Sequence, residues 1–379
     1  MRVTIPLFGE GLHKMTFISN PPSQEPSIRN RPLVSVVLPV QNEERHIADV
    51  LYSLLQQETA SFDLEIIVLD GESSDATPAI IERIASHDTR LTLLINRQRK
   101  TPYAFNIGIE RAKGEYVCIF GAHTVYPPQY IATCLEELKR SGAVGCSGTV
   151  ITRPDGKGME SRLVAWAFSH SFGTSSRSMR TRGAGYSDIV PYAVFLKTAL
   201  LEVGCYDTQL HRNQDLDLNQ KLRARGHKLY VTDKTSCEYF VSPSLSSLAR
   251  YAFRNGYWNL IGLRKNPESM AIRHFAPAAF VIALCLSVTA YILSFAASGA
   301  APLWLRSPLL LLGAAYGIGS TAAAWQVSLR ERSIEPLLLP LVFLLLHASY
   351  GGGTLSALAT NAAVSSSDRA PSLKGAQPS

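Results

Sequence analysis

Three short stretches of this chain put reactive side chains where apolar runs stop. "CIFGAHTVYP" carries His123 just beyond the run 117–120, and "IIVLDGESSDAT" ends its run on Asp70, followed by Gly71, Ser73 and Asp75 at alternate positions. Such a sequence lets the backbone turn tightly while Asp70 faces a ligand and Asp75 caps the next helix. "VVLPVQNEE" ends in Pro39, Val40, Glu43 and Glu44, and "NRQRKTPYAFN" collects Arg97, Arg99 and Lys100 in one basic loop. His123 has no acid beside it, so it reads either as a metal ligand or as a bystander.

The elements that must position these groups alternate. "LVSVVLP", "LEIIVLD", "LTLLIN" and "EYVCIFG" read as strands, and "EERHIADVLYSLLQQ", "DATPAIIERIAS", "PYAFNIGIERAKG" and "PQYIATCLEELKRSG" read as helices. This alternation predicts an α/β fold with a mostly parallel sheet and right-handed crossovers. Sheets of that kind bind ligands beyond the carboxyl ends of their strands, where Glu43, Asp70 and His123 fall.

The rest of the chain has a different character. Segments 275–296, 307–325 and 336–361 contain no Asp, Glu, Lys or Arg. Each is long enough to cross a hydrocarbon core roughly 30 Å thick at about 1.5 Å per residue. Arg250, Arg254, Arg264, Lys265 and Arg273 crowd the entry to the first span, and Arg330 and Arg332 lie between the second and third. The basic side should face the cytoplasm, with the C-terminus outside, in an inner membrane. Residues 244–266 mix aromatic and basic side chains, as an interfacial amphipathic helix or a docking helix would. Residues 1–32 read as a loose lead-in without an export signal, and 362–379 as a disordered tail. The six cysteines show no metal spacing and suit a reduced interior. The net charge of +7 suits an anionic membrane face, and no nucleic-acid motif accompanies it.

"VVLPVQNEE", "IIVLDGESSDAT", "TPYAFNIGIERAKGEYV" and "HRNQDLDLNQKLRARGHKLY", in that order, resemble the family 2 glycosyltransferases of GT-A fold. Among these the likeness is to membrane-anchored bacterial exopolysaccharide transferases of the succinoglycan type. It covers roughly 33–260, and the transferase domain it implies would run over 33–243, ahead of the three spans within 275–361. The resemblance implies a nucleotide-diphosphate sugar donor held near Pro39, Val40, Glu43 and Asp70, with Arg97, Lys100 and Asn106 also in the donor site. It implies a membrane-held, lipid-linked glycan acceptor and transfer with inversion. The family's base closes an acidic triplet that opens a helix, which here is Asn213-Gln214-Asp215, making Asp215 the candidate base. A helix cap is the other reading of Asp215.

The family's metal, manganese or magnesium, is held by an Asp-x-Asp or Asp-x-His triplet at the fourth strand. This chain has Gly121-Ala122-His123 there, so the first acid is missing. His123 is left as the candidate ligand, better suited to manganese than to magnesium. The basic loop could carry part of the charge instead. The gap at Gly121 motivates a rival reading, a catalytically impaired domain that binds nucleotide sugar or lipid-linked glycan as an assembly partner. A nucleotidyltransferase is disfavoured because no Gly-rich, Lys-containing phosphate loop follows the first strand. The segment 151–210, rich in Arg, Ser and Gly, reads as a mobile frame for the acceptor.

Overall fold

The computed structural model describes residues 31–359 apart from 175–177, 179, 182, 211, 242–243, 270 and 297–302. Nearly all of the expected lead-in and the whole of the expected tail lie outside the described residues.

The first half alternates β1 (Leu33–Val40), α1 (Ile47–Leu55), β2 (Asp63–Asp70), α2 (Thr77–Ala85), β3 (Leu91–Ile95), α3 (Thr101–Arg111) and β4 (Tyr116–Ile119). There follow β5 (Thr124–Val125), α4 (Tyr130–Ser141), β6 (Gly145–Pro154), α5 (Met159–Ser169), α6 (Ser171–Thr174), β7 (Gly185–Tyr186), β8 (Val194–Leu196), α7 (Lys197–Glu202), α8 (Gln214–Ala224) and β9 (Leu229–Val241). Four further helices complete the described chain: α9 (Leu245–Lys265), α10 (Ala276–Ala296), α11 (Leu303–Glu331) and α12 (Leu339–Ala359).

The strands form one sheet in the order β3-β2-β1-β4-β8-β6-β9-β5, with β7 on β9. β3, β2, β1 and β4 run parallel, with Val40 opposite Asp70 and Asp70 opposite Ile95. Helices on both faces explain why β1 and β2 are nearly continuous apolar runs rather than alternating ones. One face packs under α1, α2 and α4 through Leu51, Ile81 and Leu135, and the other under α3 and α8 through Ile109 and Leu222. The chain winds outward from β1 to β3 and then returns to β4 on the other side of β1. That reversal opens a crevice at the carboxyl ends of β1 and β4.

The three candidate spans are Ile272–Phe295, Arg306–Glu331 and Glu335–Ala359, of 24, 26 and 25 residues. The second runs further than the uncharged stretch 307–325, because α11 carries its last turns out to Arg330 and Glu331. Large apolar side chains face outward on all three, Ile318 being 73% exposed. Water would penalise such a surface and lipid would not. The third span stays helical through Gly351-Gly352-Gly353, and the reason is packing. A Cβ on Gly353 would collide with the Phe253 carbonyl, and one on Gly256 with the Tyr350 carbonyl. Glycines on both sides thus let the backbones of α9 and α12 touch. Accordingly α9 buries Leu248, Ala252, Gly256 and Leu260 rather than lying free, while Arg250, Phe253 and Arg254 stay exposed. The segment 151–210 contains the outer half of β6, the helices α5, α6 and α7, and the strands β7 and β8. There Phe172 packs against Tyr316, Phe343 and His347 of the spans.

Candidate active site

The crevice holds a cavity of about 530 Å³. β1 supplies Pro39 and Val40 and the loop after it Glu43; the turn into α3 supplies Asn96 and Lys100. Beyond β4 come Gly121 and His123; the start of α8 brings Asp215, and α9 adds Tyr251 and Asn255. Two buried acceptor atoms of the lining, Asn96 Oδ1 and Gln214 Oε1, have no hydrogen-bond partner. A polar ligand in the cavity would offset the cost of leaving them unpaired.

The loops after β1 and β2 lock each other. Asn42 and Glu72 are left-handed, at φ 56° and 55°. The Asn42 amide donates to Ser73 Oγ at 2.8 Å, and the Ser74 amide donates to Asn42 Oδ1 at 2.9 Å. Asp70, only 1% exposed, accepts the Ser73 amide at 3.0 Å and the Ser73 hydroxyl at 2.5 Å. Its carboxylate therefore shapes the turn and is not in the lining; Gln41, which donates to the Gly71 carbonyl at 3.0 Å, is. Asp75 accepts the Thr77 amide at 3.0 Å, as a helix-start residue does.

Of the basic loop, Lys100 and Arg99 line the cavity and Arg97 does not. Arg99 is tied to Glu72, with Nε 2.6 Å from the carboxylate. Asn106 is also absent from the lining. Its side chain exchanges two hydrogen bonds with the Tyr206 backbone, at 2.9 and 3.0 Å, and so holds the Tyr206 ring against Phe105 in the cavity wall. Of the residues expected to hold the donor, Asp70, Arg97 and Asn106 thus stand outside the cavity lining. Asp70 and Asn106 are spent on neighbouring backbone, and Arg97 falls outside the wall.

His123 does have an acid beside it, brought from another strand. Its Nε2 lies 3.1 Å from Glu43 Oε1, and its ring meets His46 edge-on at 5.4 Å, where His46 is 3.4 Å from Asp155. The Glu43 hydrogen bond raises the His123 pKa; burial opposes it, and the charges of Glu43 and Asp155 add to the rise. A separation of about 3 Å also suits two neighbouring ligands, each about 2.0–2.2 Å from one six-coordinate ion. Glu43 and His123 thus fit a divalent ion as two of its ligands, and no group of three or more such side chains occurs among the described residues. The space at Gly121 is taken: a Cβ there would sit 3.1 Å from Tyr192 Cε1. Tyr192 is itself left-handed at φ 49°, and its carbonyl accepts the Tyr130 hydroxyl at 2.9 Å.

Asp215 lies in the first turn of α8. Burial raises its pKa, while the backbone amides of Leu216 and Asp215 and the charge of Arg180 only partly oppose the rise. The turn before it is held from α9. Arg212 donates to Asn255 Oδ1 at 2.9 Å, and left-handed Asn213, at φ 58°, donates to the Asn255 carbonyl and to Asn259 Oδ1. Asn259, 3% exposed, donates in turn to the Tyr350 hydroxyl of α12. Sequence reasoning missed Asn96, Tyr192, Arg212 and Tyr251. Arg212 stands within the quoted motif "HRNQD" and could have been found there; nothing in the sequence ties Tyr192 or Tyr251 to this crevice.

A parallel sheet with this reversal, followed by β8, β6 and β9, is the GT-A fold of nucleotide-sugar transferases. A mannosyltransferase of Pyrobaculum calidifontis, solved with GDP-Man and Mn2+, superposes with a TM-score of 0.54 at 20% identity, covering 87% of this chain and 88% of that one. Residues 35–204 match the model of glycosyl transferase family 2. The match marks residues 35–204 as a family 2 domain, in a glycosyltransferase with three candidate membrane helices. The succinoglycan biosynthesis protein ExoA of Rhizobium meliloti (strain 1021) is 27% identical over 244 residues, which are 64% of this chain and 71% of that one. A dolichyl N-acetyl-alpha-D-glucosaminyl phosphate 3-beta-D-2,3-diacetamido-2,3-dideoxy-beta-D-glucuronosyltransferase of Methanococcus voltae is 26% identical over 252 residues, 61% of this chain and 77% of that one.

Proposed function

We propose that this protein transfers one sugar from a nucleotide-diphosphate donor to a lipid-linked glycan held at the membrane, with inversion at the anomeric carbon. The observation that carries the reading is the placing of Asp215 in one cavity with the β1 end, Lys100 and the Glu43–His123 pair. Asp215 accepts the proton of the acceptor hydroxyl as that oxygen bonds the anomeric carbon. The bond from that carbon to the diphosphate oxygen breaks on the opposite face, and the nucleoside diphosphate leaves. Lys100 lies in the wall to meet its growing charge. Glu43 and His123 would hold a divalent ion, manganese in preference to magnesium for a site with a nitrogen donor. When bound, such an ion supplies positive charge to the leaving diphosphate.

The lipid-linked acceptor is supported by the docking of α9 on α12 beside Asp215 and by the dolichyl-linked sugar phosphate in the name of the Methanococcus voltae relative. The bias of Lys and Arg supports a cytoplasmic catalytic domain and an outward C-terminus in an inner membrane. A second reading, a binding partner without turnover, is favoured by Gly121 and the Tyr192 ring that fills its space. Incubating the membrane-embedded protein with a panel of nucleotide sugars and extracted lipid-linked glycans separates the two. Release of nucleoside diphosphate that depends on both substrates supports transfer; nucleotide binding without release supports the second reading.

A further inference from the structure

Two arginines near Asp215 make no close ion pair among the described residues, although the charge of Arg180 reaches the Asp215 carboxylate. Arg212 lies in the cavity wall, its guanidinium 5.1 Å from the centre of the Tyr251 ring, and its recorded polar partner is the neutral Asn255. Arg180 stands one layer back, 4.7 Å from the Phe168 ring and 5.0 Å from the Tyr239 ring, and its buried Nε has no partner. No carboxylate forms an ion pair with either arginine among the described residues. Tyr251 lies between them. Burial would push its phenol up, yet the charge of Arg180, a hydrogen bond with Asn255, and the charge of Arg212 bring it below its ordinary value. Two guanidinium groups around a partly buried wall, with aromatic rings, an amide and the single carboxylate of Asp215 beside them, leave an excess of positive charge that suits an anion.

The wall that carries them belongs to the membrane side. Tyr251 and Asn255 are on α9, whose other face touches α12, and Phe168 is on α5, in one core with Val327 and Phe343 of the spans. We propose that Arg212, backed by Arg180, binds the phosphate of the lipid-linked acceptor. The proposal rests on the transferase reading above and adds the group of the acceptor that is recognised. Arg212 and Asp215 are three positions apart in the chain, which limits their Cα atoms to about 10 Å apart. The anion site and the base therefore face the same cavity. The acceptor is then a lipid phosphate or diphosphate whose charged group is held on the wall that also carries the base.

The test uses the full chain in phosphatidylcholine nanodiscs. Tryptophan fluorescence titrations compare undecaprenyl diphosphate with undecaprenol, and separately follow a panel of nucleoside diphosphates. The expected result is at least about tenfold tighter binding of the charged lipid, corresponding to about 1.4 kcal/mol. Arg212→Gln should abolish that preference and leave nucleoside diphosphate affinity unchanged. Arg180→Lys, which keeps the charge should Arg180→Gln fail to fold, should retain most of it. Equal affinity of the parent for the two lipids would overturn the proposal. So would an Arg212→Gln variant that loses nucleoside diphosphate binding, since the arginine would then serve the donor. A parent that binds the charged lipid but no nucleoside diphosphate would sink the transferase reading and leave the anion site standing.

Discussion

At Asp215, exchanging one carboxylate oxygen for an amide keeps size and removes basicity. Asp215→Asn should lower sugar transfer by roughly 10²-fold or more, measured as nucleoside diphosphate release, with nucleotide binding intact. Burial holds the Asp215 pKa above the ordinary carboxylate range, which fixes two signs. The base form fills only above that raised value, so the acid limb of kcat lies above the ordinary range, and Arg180→Gln should move it higher still. For stability, a raised carboxyl pKa gives a contribution fully present below the unfolded value and lost as pH rises through the folded one. Asp215→Asn escapes that loss and should melt no lower than the parent at neutral pH, whereas a collapse in melting temperature would make Asp215 a structural cap. Gly121 is the other single-residue test. With Tyr192 Cε1 3.1 Å from its missing Cβ, Gly121→Asp alone should do little for manganese affinity in the presence of nucleoside diphosphate. Combined with Tyr192→Leu it should tighten that affinity, and manganese affinity unchanged from the parent in both variants would deny a metal at this strand end.

Helix α8 owes its position to α9, and α9 owes its position to α12. The chain of polar contacts runs from Asn213 through Asn259 to the Tyr350 hydroxyl, inside an interface where glycines bring two backbones together. A buried amide that loses its partner costs about 1–3 kcal/mol, and here the strain would pass to the left-handed Asn213 beside the base. Tyr350→Phe removes one hydroxyl from the third span. It should lower kcat several-fold at unchanged nucleoside diphosphate affinity, since Asp215 and not the donor side of the crevice is disturbed. A change confined to nucleotide affinity would break the proposed connection.

For the molecule in its membrane, the expectation concerns sidedness. If all three candidate spans cross, with Arg273, Arg330 and Arg332 on one side against Arg306 on the other, the two termini lie on opposite sides. A reporter before Met1 should behave as cytoplasmic and one after Ser379 as extracytoplasmic. Both ends reporting the same side would mean that one span does not cross.

By itself the sequence determined the elements and their class. Runs rich in apolar residues such as 33–40 and 63–70 suit strands covered on both faces, and uncharged stretches of span length need lipid or a large core. These are local properties, set by period and composition, and they were legible for the same reason. The ordered motifs likewise marked Pro39, Val40, Glu43, Lys100, His123 and Asp215 as residues for one site, and these six share the cavity. Only the tertiary structure decided which polar groups of those motifs face the cavity and which are spent on backbone, as Asp70 and Asn106 are. It also decided that an acid meets His123 from Glu43, 80 positions earlier in the numbering, and that Tyr192 fills the space at Gly121. Such contacts join residues far apart in the chain, fixed by how strands order in the sheet and how α9 docks on a membrane helix. No periodicity or spacing in the chain encodes that distance.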